Sequence, residues 1–119
     1  MKTKSRLRIA LIFEASRAYG RELLRGVALF ARTQVNWALL LQEMTLDSNL
    51  PSWIETARVS GVIARVDRQT VKPLQKLGVP IVDVRCNHKF QGVPQVDTDN
   101  SLFTKLAFEH LWECGFRWF

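Results

Sequence analysis

The sequence predicts an α/β fold built on a doubly wound parallel sheet with right-handed crossovers. Short, almost continuously apolar runs recur along the 119 residues, as strands covered on both faces require. Segments with helical spacing separate them, so strand and helix alternate throughout. Gly61, Gly78 and Gly115 punctuate the later junctions, and no Pro- or Ser-rich linker divides the chain.

The first strand is Leu7 to Phe13. Tyr19 to Val35 follows as a helix whose Leu23, Leu24, Val27, Ala28 and Ala31 share one face, while Arg21, Arg25 and Arg32 stay on the other. Trp37 to Leu41 reads as a second strand. Leu50 to Arg58 suits a short helix with Pro51 in its first turn, and "GVIARV" supplies a third strand. Asp67 can cap a helix running through Leu77, Gly78 suits its C-terminal position, and "VPIVDV" is a fourth strand. "GVPQVDTD" makes a fifth strand at an edge, because Pro94 cannot donate to a ladder. Asn100 to Glu113 is a long helix stopped by Gly115, and "FRWF" begins a sixth strand. On the late helix Phe103, Leu106, Ala107 and Leu111 can face the sheet, whereas Phe108 and Trp112 lie on another side and need other cover. A further lobe, a dimer partner or returning strands would each supply it.

Composition narrows the function. With 47% apolar residues the chain can bury one core, and no apolar run is long enough to span a membrane. The basic opening and "IALIF" imitate a signal peptide, but the apolar part is short and no small-residue cleavage site follows, so a cytoplasmic location is expected. Cys86 and Cys114 have no metal-ligand spacing and read as buried, inert thiols. The net charge of +6 draws on Lys2, Lys4, Arg6 and Arg8, a solvated leader without the aromatic interleaving or helix-turn-helix pattern of a nucleic-acid reader.

Catalytic signatures are missing. "FEASRAYGRE" has one glycine where a dinucleotide fold needs a glycine-rich turn, no phosphate loop occurs, and the carboxylates and lysine of a phosphoacceptor receiver are not in place. His88 and His110 lack a third partner, and no serine sits in an elbow sequence. No enzyme activity, cofactor or metal is expected.

Ligand chemistry in such a sheet gathers at the carboxyl ends of the strands, which nominates the loops 14–19, 66–69, 85–89 and 97–101. The first offers Glu14, Ser16, Arg17 and Tyr19, a carboxylate, a hydroxyl, a guanidinium and an aromatic ring, which suits a neutral polyol. The last offers Asp97, Asp99 and Asn100. One of the polar residues there is accounted for by helix capping, and in an extended strand end Asp97 and Asp99 share a face toward the crevice.

"RIALIFEASRAYGRELLRGV", the "GVI" and "VPIV" strands, and "DTDNSLFTKLAFEHLWECGFRWF" together resemble the sensor portion of xylose operon regulators. That domain is similar to those of LacI/GalR repressors and periplasmic sugar-binding proteins. The resemblance implies that residues 1–119 are the N-terminal lobe of a sugar sensor, cut short of its second lobe, in a transcriptional regulator. In this family an AraC-type DNA reader follows the sensor. The partners it implies are a small sugar, D-xylose in the first instance, a second copy in a homodimer, and DNA through a domain outside these residues. Glu14, Ser16, Arg17, Tyr19, Asp99 and Asn100 become sugar-contact or lobe-interface candidates; Asp97 lies just before the matching triplet. A solitary sugar-binding lobe and an α/β enzyme are the alternatives.

Overall fold

The structure, a computed structural model, describes residues 6–43 and 50–118. The basic leader at Lys2 and Lys4, and Phe119, lie outside the described residues. Four parallel strands form one sheet in the order β2-β1-β3-β4: β1 (Leu7–Phe13), β2 (Trp37–Glu43), β3 (Gly61–Ala64) and β4 (Ile81–Asp83). Three helices accompany them, α1 (Ala18–Thr33), α2 (Val71–Gln75) and α3 (Asn100–Glu113).

β1 is the centre of the fold. It pairs in parallel with β2 on one side and β3 on the other, and Ala10, Leu11 and Ile12 are fully buried. Successive residues serve opposite faces, as a pleated strand demands. Ile9, Leu11 and Phe13 join Val84 and the α1 residues Leu23, Leu24 and Val27 on one face. Ala10 and Ile12 join Val62, Ala64, Val66, Leu74 and Ile81 on the other. Covering both faces is what a parallel sheet requires, and it accounts for the unbroken apolar run "IALIF".

Several expected elements change. "GVPQVDTD" is not a full strand but a single parallel bridge from Gln95 to Asp83, held by Asp83 N–H to Pro94 O at 2.9 Å and Val96 N–H to Asp83 O at 3.0 Å. It does lie at the β4 edge. Pro94 has no N–H and Gly92 turns with φ +77, so the ladder cannot lengthen. "FRWF" is not a sixth strand: Phe116–Trp118 find no ladder, Trp118 is 93% exposed, and the Arg117 guanidinium folds back 3.8 Å over the Trp112 ring. Among the described residues the sheet therefore has four strands instead of five and the start of a sixth. The segment at 50–58 forms turns rather than a helix, with Ile54 N–H bonded to Pro51 O and Ala57 N–H to Trp53 O, and it ends at Arg58 with a left-handed φ of 52°. The helix expected from Asp67 shortens to α2, although Asp67 Oδ1 does accept from Gln69 N–H and Thr70 N–H at 2.8 Å each, and Gly78 (φ +68) closes the segment.

α3 has the expected bounds and ends. Asp99 Oδ1 accepts from Leu102 N–H at 3.0 Å, and Gly115 (φ +96) ends it with Phe116 N–H on Leu111 O and Gly115 N–H on Trp112 O, the paired closing bonds of a glycine-terminated helix. Its expected burial is not found. No residue of α3 is buried, including Phe103, Leu106, Ala107 and Leu111. The apolar residues are spread round this helix rather than gathered in one stripe, so no single face commits to the sheet. On α1 the stripe is narrower than its sequence suggests, because Ala28 is exposed while Ala31 is buried.

Candidate functional site

The strand order reverses at β1, whose neighbours β2 and β3 lie on opposite sides, and a cleft opens at the carboxyl ends there. It has a volume of about 340 Å³ and is lined by Glu14, Arg17, Tyr19 and Gly20 after β1, Arg65 after β3, and Arg85 and Asn87 after β4.

Local backbone demands set the first wall. A Cβ at Gly20 would come within 1.7 Å of Glu14 O, so the first turn of α1 can press against the β1 loop only with glycine at this position. That contact carries Glu14 and Tyr19 to the cleft on rigid backbone. Ser16 does not cap α1; its hydroxyl donates to Glu14 Oε1 at 3.0 Å, while the N-cap position belongs to Arg17 without a side-chain cap. Glu14 Oε1 is also 3.5 Å from Arg17 Nε, and its Oε2 is 3.7 Å from Arg65 Nη1, so this carboxylate ties the β1 loop to the end of β3.

The second wall hangs on Asp83, which is fully buried. Its Oδ1 accepts from Val66 N–H at 3.1 Å and Arg85 N–H at 2.8 Å, and its Oδ2 from Cys86 N–H at 3.2 Å and Gln95 Nε2 at 3.1 Å. A buried carboxylate is retained only when its lone pairs are filled in this way. One side chain thus joins the β3 loop, the β4 loop and the segment through Gln95. It aims Arg85 into the cleft, where Nη1 lies 3.7 Å from Asp67 Oδ2, and the Asn87 amide, once turned so that its oxygen faces the guanidinium, accepts from Nε at 2.9 Å and Nη2 at 3.2 Å. Cys86 sits here with a left-handed φ of 61°, its thiol 3.3 Å from Val96 O; it is half-buried and Cys114 is exposed at the end of α3, so neither thiol has the full burial expected of it.

The last expected group divides. Partial burial raises the Tyr19 phenol above its ordinary value, with the Asp97 carboxylate and the Cys86 thiol adding to the rise and a hydrogen bond with Thr98 opposing it. Asp97 is therefore close enough to Tyr19 to act on its phenol, but it is not among the residues that line the cleft. Burial likewise raises the Cys86 thiol, reinforced by Asp83 and then Asp97. Asp99 is engaged as the α3 cap, and Asn100 is exposed at the start of α3; neither lines the cleft. His88 packs edge-on against Phe90. Among the described residues no group of three His, Cys, Asp or Glu side chains is placed to hold a metal ion.

Sequence reasoning missed Arg65, Arg85 and Asn87 as individual residues. A signal was present: "GVIAR" and "IVDVR" both end an apolar strand on arginine, at the end of the sheet where ligand sites form.

A parallel sheet wound on both faces, with a polar cleft at its switch point, is the architecture of one lobe of a periplasmic-binding-protein-like domain. The chain belongs to the XylR N-terminal domain family, whose model matches residues 8–101. It is similar to the "Xylose operon regulatory protein" of Haemophilus influenzae, 27% identical over 98% of this chain and 31% of that protein. It is 31% identical to the Escherichia coli K12 protein of the same name, over 92% of this chain and 29% of that protein. The chain thus spans about a third of the length of the curated relatives it matches. No solved structure gives a significant match. Among the described residues no helix is long and apolar enough to cross a membrane.

Proposed function

We propose that residues 1–119 form the N-terminal lobe of a sugar-responsive transcriptional regulator, with its ligand at the cleft of Glu14, Arg17 and Tyr19. The observation that carries this reading is the cleft's place: it opens at the switch point of a chain whose relatives are named as xylose operon regulators. A pentose, with D-xylose as the reference ligand, would stack its C–H face on Tyr19 and place hydroxyls against Glu14 and the guanidiniums. In this reading a second lobe of a longer parent protein supplies the opposite wall. Closure of the two lobes then shifts a cytoplasmic homodimer between states that present a separate DNA-binding domain differently. The protein is a binding module and not an enzyme.

Calorimetric titration of the complete two-lobed sensor with D-xylose tests the site. Tyr19→Ala and Arg17→Ala are each expected to weaken binding about tenfold, the loss of one good polar or stacking contact. Unchanged affinity in both variants would overturn the assignment of the cleft. Asp99→Ala, which removes a helix cap outside the lining, is expected to leave affinity near that of the unaltered protein.

A further inference from the structure

β2 is the outer strand of the sheet, and among the described residues only β1 pairs with it. Its seven residues, "WALLLQE", run in unbroken register against β1 from Trp37 to Glu43, so its other side presents a row of backbone N–H and C=O groups. Edge strands are ordinarily protected by proline, lysine or a bulge. β2 has none of the three, and its one charged residue is Glu43 at the end. None of its residues is buried, and Leu41 is 47% exposed. α1 extends the patch: Phe30, 46% exposed, packs edge-on against Trp37 with ring centroids 5.4 Å apart.

Charge decides what fits this edge. A groove of about 430 Å³ lies at the start of β2, where Arg6 and Arg32 line it together with Trp37 and Leu39. Its only charged lining groups are these two cations, and Arg6 Nη2 donates to Trp37 O at 2.6 Å, which fixes one guanidinium at that end of the strand. The other end of β2 carries the exposed Glu43. A strand with cations at one end and a carboxylate at the other is complementary to itself run backwards. Antiparallel self-pairing about Leu40 overlaps all seven residues and sets Glu43 of each copy opposite Trp37, beside Arg6 and Arg32. It also sets Leu39 opposite Leu41 on the face that α1 covers, an apolar cross-strand pair made twice. A two-fold axis closes this arrangement, so it stops at two copies.

We propose that the outer edge of β2 is the surface on which a second copy of this chain docks, the two strands pairing antiparallel about Leu40 to make one continuous sheet. The proposal rests on the homodimer reading above and assigns its surface. Sedimentation equilibrium of the complete two-lobed sensor tests it. Leu41→Lys, which puts a cation into both Leu39–Leu41 contacts, should raise the dimer dissociation constant by about tenfold or more. Glu43→Arg and Arg32→Glu should each raise it about tenfold, since the axis makes every contact twice. Combined in one chain they restore opposite charges, and the constant should return to within about threefold of the unaltered protein. That recovery separates a lost contact from a misfolded variant. A sensor that is monomeric at every concentration would overturn the homodimer and this surface together. A dimer indifferent to all three changes would overturn the surface and leave the homodimer standing. Lower stability to denaturant in Leu41→Lys with an unweakened dimer would place another segment of the parent chain on β2 and overturn the proposal as well. A double variant no tighter than the single ones would overturn the antiparallel register.

Discussion

β1 and α3 are both rich in large apolar residues, yet they end in opposite environments. In β1, Leu11 and Ile12 are fully buried and Phe13 is 1% exposed; in α3, Phe103 is 67% exposed and no residue is buried. The difference lies in arrangement rather than composition. A central parallel strand meets a neighbour on each edge and a layer on each face, so every side chain finds a partner. A helix buries only a stripe, and α3 spreads its apolar residues round the cylinder. α1 shows the contrast within one secondary-structure type: Leu23, Leu24 and Val27 form a stripe, and that stripe is packed on the sheet.

The same substitution in both regions should have unequal consequences. Phe13→Ala should cost about 3–5 kcal/mol in chemical denaturation, the combined loss of burial and a cavity. Phe103→Ala should stay within about 0.5 kcal/mol, as an exposed position does. Equal losses would show that α3 is covered as β1 is. Next in size, Asp83→Ala strands the N–H groups of Val66, Arg85 and Cys86 and should cost about 3 kcal/mol. Asp99→Ala should cost about 1 kcal/mol, and amide exchange should quicken in the first turn of α3 with no change in β1. The smallest effect is alkaline. Tyr19 and Cys86 hold their protons more tightly in the folded state than the unfolded chain does. Their contribution is therefore full below the ordinary values of these groups and drains as pH rises through the raised ones. Cys86→Ala should flatten the thiol part of that decline in stability measured against pH.

Much of the fold was legible because it rests on local patterns. "IALIF" reads as a doubly covered strand, Gly78 and Gly115 adopt the left-handed turns that their positions imply, and Asp99 caps α3. The fifth strand and the helix at 50–58 were misjudged because a propensity does not guarantee a partner: Pro94 interrupts the ladder and the turns after Pro51 do not propagate. At the site, Glu14, Arg17 and Tyr19 were legible as a cluster within one loop, since contiguous residues stay together however the chain folds. Arg65 and Arg85 were not, because their convergence depends on β3 and β4 being neighbours.

The sequence by itself determined the alternation of strand and helix, the two-sided burial of β1 and the glycine stops, all set by short-range sterics and hydrophobic spacing. Gly20 belongs to both levels: its place in "AYGRE" is plain, but the need for it appears only where α1 meets the Glu14 backbone. Tertiary structure alone decided the rest. It filled a buried Asp83 with donors from three segments, drew three guanidiniums to one cleft, and left α3 uncovered. Each of these is a long-range juxtaposition, set by which strands pair and which faces meet.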